Sequence, residues 1–215
     1  MPPAHPGSFF CEFMKRPGEI GTVVPSSRYL ESRLVRLCDV AQASLVVELG
    51  PGTGGTTRAL LAAMRPSARL LAIDVNEDFV TLLQRFGDPR LIGHHGRAED
   101  LELALDDYRF LRPEVIVCGI PFSTLPRVDG RKILRAVWSA LAPGGRLVAY
   151  QVRGHLERLG RVVFGVPHIE WELRNVPPLR VYRWEKPYVH EPMNVDTHCD
   201  AAVTQSKFAM DLVRR

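Results

Sequence analysis

Short apolar runs alternate along this chain with stretches of helical spacing, the pattern of strands that pair in parallel and helices that cross between them. The runs predict strands at Leu45–Leu49, Leu70–Ile73, Leu91–His94, Glu114–Cys118, Arg146–Gln151, His168–Leu173 and Leu179–Trp184. Helices are predicted at Ser26–Val40, Thr53–Met64, Glu77–Phe86 and Asp129–Leu141. In the first of these, Leu30, Leu34, Leu37 and Ala41 recur at three- and four-residue intervals and so share one face. Pro143-Gly144-Gly145 stops the last helix and turns the chain into a strand. The expected architecture is an α/β domain built on a mostly parallel sheet with helices on its faces. There is no internal repeat. After Pro187 strand alternation stops, and only Ala201–Val213 has the spacing of a short helix.

Chemistry enters at the first strand. Val46-Val47-Glu48-Leu49 runs into Gly50-Pro51-Gly52-Thr53-Gly54, with a glycine at every second position, and an Ala/Leu-rich helix follows. Residues without a Cβ let the chain turn tightly and let a ligand lie directly on the main chain. Such a strand–turn–helix unit holds nucleotide-like ligands in the crevice beyond the strand ends. A dinucleotide fingerprint would be G-x-G-x-x-G, opening a helix onto a pyrophosphate. Here the spacing is G-x-G-x-G, and Glu48 stands two places before the first glycine. That anion would repel a pyrophosphate but suits the ammonium of a ligand with an amino-acid end. Asp74, at the end of Leu70-Leu71-Ala72-Ile73, can accept both hydroxyls of a ribose. Together Glu48, the three glycines and Asp74 resemble the E-x-G-x-G-x-G pattern of class I S-adenosylmethionine-dependent methyltransferases. That resemblance implies a Rossmann-like, seven-stranded sheet with an antiparallel final hairpin. S-adenosylmethionine is the implied cofactor, held by Glu48, Gly50, Gly52, Thr53, Gly54 and Asp74.

Composition narrows the setting. With 215 residues and 46% hydrophobic content, the chain suits one substantial domain. The expected division is an N-terminal helical lid or docking segment over residues 1–40, a cofactor-binding domain over 41–186 and a tail over 187–215. No apolar run reaches the ~18–20 residues that span a bilayer, and the start Met1-Pro2-Pro3-Ala4-His5-Pro6 lacks the basic and apolar regions of a secretory signal. Cys11, Cys38, Cys118 and Cys199 are widely spaced with no C-x-x-C pair, so neither a metal site nor a disulfide framework is expected. These features fit a reducing cytoplasm. The formal charge of +4 is concentrated late: Arg146, Arg153, Arg158, Arg161, Arg174, Arg180, Arg183 and Lys186 face only Glu157, Glu170, Glu172 and Glu185 over residues 146–186. Such a region suits an anionic partner, a phosphate or an acidic membrane surface, and equally a solvated basic face.

Three further stretches sharpen the resemblance. Gly21-Thr22-Val23-Val24-Pro25-Ser26-Ser27-Arg28-Tyr29-Leu30 precedes the first strand, Cys118-Gly119-Ile120-Pro121-Phe122-Ser123-Thr124-Leu125-Pro126 follows the fourth, and Leu173-Arg174-Asn175-Val176-Pro177-Pro178-Leu179-Arg180-Val181-Tyr182-Arg183 comes late. With Glu48–Gly54 they look like the bacterial phospholipid N-methyltransferases, over roughly residues 8–186. That family methylates phosphatidylethanolamine and resembles the rRNA adenine dimethyltransferases in its cofactor domain. The resemblance implies that Ala98 and Glu99, in His95-Gly96-Arg97-Ala98-Glu99-Asp100, lie at the adenine, although Arg97 stands where the family has an acid. It also implies that Gly119, Pro121 and Phe122 border the reacting methyl. Enzymes that methylate an adenine N6 have Asn or Asp at the position of Gly119, to accept the amine hydrogens, and an aromatic that stacks on the base. Gly119 has no acceptor side chain, which argues against a nucleobase; Phe122 retains the ring. The family's N-terminal amphipathic helix is confined here by Pro2, Pro3, Pro6 and Pro17 to about Ser8–Arg16, where Phe9, Phe10, Phe13 and Met14 could enter an interface or pack in a core.

Methylating an ammonium requires that it first lose a proton and then regain charge, so aromatic rings, a weak base and a basic clamp for phosphate are the useful groups. The candidates are Tyr29, Tyr150 and His155 at the amine, with Arg180 first and Arg28 second for phosphate and Tyr182 beside them. Alternation along a strand puts Arg180 and Tyr182 on one face. The expected partner is a phospholipid headgroup at an anionic membrane surface, met from the cytoplasmic side by a peripheral enzyme, with no nucleic acid. The alternatives are an rRNA adenine N6-dimethyltransferase, a soluble small-molecule N- or O-methyltransferase, and a non-catalytic binding fold, which the intact glycines and acids disfavour. Oligomeric state leaves no mark in the sequence.

Overall fold

The computed structural model describes residues 27–188. The N-terminal aromatic segment Ser8–Arg16 and the tail helix 201–213 lie outside the described residues. Strands β1 (Leu45–Leu49), β2 (Arg69–Asp74), β3 (Leu91–His95), β4 (Val115–Cys118), β5 (Arg146–Gln151), β6 (His168–Glu172) and β7 (Leu179–Glu185) form one sheet in the order β3-β2-β1-β4-β5-β7-β6. β1 to β5 are parallel, and β7 runs antiparallel between β5 and β6. The order reverses between β1 and β4. In open α/β sheets the crevice outside that reversal, at the carboxyl ends of the strands, is where ligands bind.

Helices α1 (Arg28–Cys38), α2 (Gly55–Ala63), α3 (Glu77–Gln84), α4 (Leu101–Asp107), α5 (Arg127–Ala140) and α6 (His155–Phe164) flank the sheet. β1 is buried throughout because its apolar residues serve both layers. Leu45, Val47 and Leu49 join the core beneath α4, α5 and α6, and Val46 joins the one beneath α1 and α2. The predicted apolar face of α1 is there, with Leu30, Leu34 and Leu37 buried, and the Ser27 hydroxyl caps the helix by accepting from the Leu30 amide. Arg33 and Arg36 then tie α1 to Glu170 on β6, and Arg33 also pairs with Glu172.

All seven predicted strands are present, most with ends shifted by one residue. α2 starts at Gly55, two residues later than expected, because Gly54 takes a left-handed conformation that cannot continue a helix. α5 begins two residues early, at Arg127. α4 and α6 were not among the predicted helices. The α6 sequence reads poorly as a helix because of Gly160, and packing supplies the reason for that residue: a Cβ there would lie 2.6 Å from the Trp184 indole. Among the described residues no helix is long and apolar enough to cross a membrane.

Candidate active site

The glycine turn sits where β1 meets the reversal point, and its glycines answer to different demands. Gly50, Gly52 and Gly54 all have positive φ. A Cβ on Gly54 would collide with Phe86 and Leu83, at 2.5 and 2.8 Å, so that glycine lets α2 and α3 approach. A Cβ on Gly52 would meet no described atom within 4 Å. Gly52 therefore borders open space at the mouth of the crevice, the place a ligand lying on the main chain would need. Its amide donates to Asp74 Oδ2 at 3.3 Å, and Asp74 Oδ1 accepts from the Asn76 amide at 2.9 Å. The turn and the β2 acid are thus one connected unit.

Glu48 is 1% exposed and accepts from the Thr57 hydroxyl at 2.6 Å. Burial pushes its carboxyl up to about 7; the Thr57 hydrogen bond opposes that rise and the nearby Asp74 carboxylate adds to it. Burial likewise raises Asp74 against the hydrogen bonds it accepts. Two buried acids beside an open, glycine-lined space form a strongly cation-seeking site, which fits the sulfonium- and ammonium-bearing S-adenosylmethionine. Ala98, buried after β3, begins a single 3₁₀ turn, while the Glu99 carboxylate is held by Arg97. An Arg97–Glu99 pair thus occupies the segment that the resemblance assigns to the adenine.

The sheet sorts the remaining candidates by face. Gly119 and Tyr150 lie next to each other across β4 and β5, on the α1 side; a Cβ on Gly119 would be 2.6 Å from the Tyr150 hydroxyl and 2.8 Å from the Gly50 carbonyl oxygen. Half-buried Tyr150 is therefore brought to the glycine turn. Tyr29, at the start of α1, packs between guanidinium groups, with Arg174 at 4.2 Å and Arg28 at 4.8 Å from its ring. The Arg28 guanidinium also donates to the Tyr29 hydroxyl at 2.8 Å.

On the opposite side, under α5 and α6, two expectations need correction. Phe122 was expected to be open to an acceptor. It is instead 2% exposed, with its ring packed against Gly130 of α5, because the 3₁₀ turn Phe122–Thr124 folds it inward. Tyr182 is fully buried and stacks on Trp184, so it cannot line an open substrate site. Its hydroxyl has no well-formed hydrogen bond and lies in the field of the Arg180 guanidinium. His155 was named as a candidate at the amine. It is the first residue of α6, and its Nδ1 is buried without a partner among the described residues. Arg180 stacks over Trp171 at 4.5 Å and reaches Gly154, next to His155. Pro121 is half-buried at the β4 exit.

Gln151 escaped the sequence analysis. Its amide donates to the Ile120 carbonyl at 2.7 Å and accepts from the Phe122 amide at 3.3 Å, clamping the loop that carries Gly119 and Pro121. A buried amide at the end of β5 was the available signal, since such a group must find backbone partners.

Charge is also distributed differently from the sequence expectation. Arg146, Arg183 and Lys186 lie at the far edge of the sheet, where Arg146 pairs with Asp39 and Glu185 and Lys186 donates to the last carbonyls of α5. Because β7 runs opposite to β5, only part of the basic late region reaches the crevice.

Known proteins similar to this chain include several methyltransferases. A family described as "Methyltransferase domain" matches residues 47–147. An ornithine lipid N-methyltransferase from Singulisphaera acidiphila is 29% identical over 81% of this chain and 92% of its own length. A ribosomal RNA small subunit methyltransferase A from Parasynechococcus marenigrum is 31% identical over 59% of this chain, a match spanning 41% of that protein. The N-methyltransferase NodS from Bradyrhizobium japonicum, solved with S-adenosyl-L-homocysteine, superposes with a TM-score of 0.64 at 18% identity, over 86% of this chain and all of its own. The domain match runs over the strands that carry Glu48, the glycine turn and Asp74, and these likenesses, with the cofactor turn, support a class I S-adenosylmethionine-dependent methyltransferase.

Proposed function

We propose that the chain transfers methyl groups to the amine of a phosphatidylethanolamine-type lipid headgroup at a membrane surface. The observation that carries this reading lies beyond β4. A planar nucleobase amine is read by an acceptor side chain and a stacking ring; here the first is replaced by Gly119, packed under the Tyr150 hydroxyl, and the second, Phe122, is in the core. An aliphatic amine needs neither. The ornithine lipid N-methyltransferase relative, aligned along most of both chains, supports a lipid amine as acceptor.

S-adenosylmethionine supplies the transferable methyl on a positively charged sulfur. Glu48 and Asp74 hold the cofactor's cationic and ribose ends, and Gly52 admits it to the main chain. Tyr150, beside Gly119, gives the incoming amine a ring and a hydroxyl, and Tyr29 adds a second aromatic from α1. His155 accepts the proton that an ammonium must lose before its lone pair can attack. Arg180, with Arg28 across the sheet end, offers guanidinium donors to a phosphodiester. Positioning and charge management of this kind carry most of such a displacement.

The test supplies purified protein with methyl-labelled cofactor and, separately, phosphatidylethanolamine vesicles, ornithine lipid vesicles, ribosomal RNA and small amines. Label is expected in phosphatidylethanolamine. Label in RNA with none in lipid would reverse the assignment, and label confined to ornithine lipid would move it to another headgroup. A second expectation concerns Gly119→Asn, which restores the side chain of the base-methylating enzymes. Because the Gly50 carbonyl is backbone and cannot step aside, overpacking should cost about 1–3 kcal/mol of stability without conferring RNA methylation. An unchanged melting temperature would refute the packing argument.

A further inference from the structure

The crevice edge of the molecule is polarised, and we infer that its β5–β7 flank is the surface that docks on an anionic bilayer, with the β6–β7 hairpin entering the interface. This inference rests on the lipid-headgroup reading and adds where, and in which orientation, the domain meets the membrane.

The hairpin turn, residues 173–178, lies at the carboxyl end of β5, since Gln151 pairs with Arg180 and Glu172 with Leu179. It carries Leu173, 69% exposed, and Val176, 86% exposed, and Trp171 just before the turn is 47% exposed. The turn is held in place from within. Asn175, buried, accepts from the Ser27 amide at 3.4 Å and donates to the Pro177 carbonyl at 3.2 Å, and Glu172 accepts from Arg33 and Arg174. Two large apolar side chains are therefore presented to the outside by a tethered turn. Apolar residues flanked by cations are the composition of an interfacial anchor.

Charge supplies the direction. Around the hairpin stand Arg28 at the start of α1, Arg153 before α6, and Arg180; Arg174 is already paired with Glu172. Across the same edge, beyond β2 and β3, the exposed side chains at the helix starts are Glu77, Asp78 and Asp100, with Glu99 engaged by Arg97. An anionic surface would attract the first flank and repel the second. The domain should therefore sit tilted, hairpin down, which opens the crevice toward the headgroups from the Tyr29 and Tyr150 side. A second exposed apolar pair, on α6 and its exit, Val162 at 84% and Val166 at 76%, faces the far edge and provides a matched comparison.

The test uses the full chain, with the variants Leu173→Ser/Val176→Ser and Val162→Ser/Val166→Ser. Each is co-sedimented with phosphatidylglycerol/phosphatidylcholine vesicles and with pure phosphatidylcholine vesicles, at low and high salt. Burying two such side chains even partly should strengthen binding about tenfold, so the hairpin variant should lose about that much while the far-edge variant stays within about twofold. Each arginine brought near the surface adds about fivefold at low salt, so wild-type binding should favour the anionic vesicles and weaken as salt rises. Methylation of detergent-solubilised phosphatidylethanolamine should be unchanged in both variants. Equal vesicle binding by the hairpin variant and wild type would overturn the inference, as would equal losses in both variants. A change in molecular mass of the hairpin variant by light scattering, with vesicle binding intact, would also overturn it by making the patch a self-association surface. If no lipid accepts methyl yet the hairpin variant alone loses vesicle binding, the docking surface stands and the acceptor assignment falls.

Discussion

Gly52→Val should weaken S-adenosylmethionine binding by at least roughly five- to hundredfold while leaving the protein folded. A Cβ at this position meets no described atom within 4 Å, so the packing of the free protein does not oppose it. The remaining folding penalty is conformational, because the residue sits at φ 55; a branched side chain in the left-handed region costs about 1–2 kcal/mol. The side chain would instead fill the space the ligand uses. Overpacking a close contact costs about 1–3 kcal/mol, equivalent to a roughly five- to hundredfold loss of affinity, and losing the approach to the main chain adds to it. Gly54→Val should behave in the opposite way. Its Cβ runs into Phe86 and Leu83 in the free protein, so it should lower the melting temperature before it affects the ligand. Calorimetry with S-adenosylhomocysteine, paired with thermal denaturation, separates the two. Wild-type affinity in a folded Gly52→Val protein would remove the cofactor from this turn.

The contrast between these glycines marks how far the sequence could be read. The G-x-G-x-G spacing announces a turn that takes a ligand, but which glycine faces the ligand and which faces the protein depends on Phe86, more than thirty residues away. β1, β2 and β4 were legible because a strand buried on both faces is apolar along most of its length, and α1 because its leucines keep helical spacing. α6 was not, since Gly160 satisfies Trp184 on β7 rather than any local preference. The same holds at the site. Glu48 and Asp74 announce themselves as acids at the ends of apolar runs. The aromatic in Pro121-Phe122 does not reveal that a 3₁₀ turn folds it inward, and a fully buried tyrosine in Arg180-Val181-Tyr182 looks like an exposed one until β5 and α6 are placed beside it. Alternation correctly put Arg180 and Tyr182 on one face. It could not say that this is the face opposite Tyr150, so the candidates form two groups at one sheet end. The late cluster of arginines read as one patch; the start of β5 and the antiparallel course of β7 put Arg146, Arg183 and Lys186 at the far edge instead.

Glu48 gives the second large effect, and it is one of pH. In the free protein burial raises its carboxyl to about 7, so at neutral pH about half the molecules hold it protonated. A ligand ammonium favours the carboxylate, and binding must therefore release a proton below that point. Affinity for S-adenosylhomocysteine should be level above about pH 7 and then weaken toward tenfold per pH unit below it. Stability of the free protein should run the other way. A group whose folded pKa lies above its unfolded value contributes fully below the unfolded value and loses that contribution as pH rises through the folded one. For Glu48 that window runs from the ordinary 4.5 to about 7, worth about 3 kcal/mol if the whole rise is realised. Asp74, also raised by burial, acts in the same direction. The free enzyme should thus melt at a lower temperature at pH 8 than at pH 5.5, and ligand should restore more stability at pH 8. Glu48→Gln keeps the hydrogen bond from Thr57 but cannot ionise. It should flatten both profiles, stabilise the free protein at pH 8 and bind ligand at least about tenfold more weakly there, since a buried charge partner is lost. Titration calorimetry and thermal melts between pH 5.5 and 8 measure both quantities. Parallel pH profiles for wild type and Glu48→Gln would mean that the carboxylate never meets the ligand's cation.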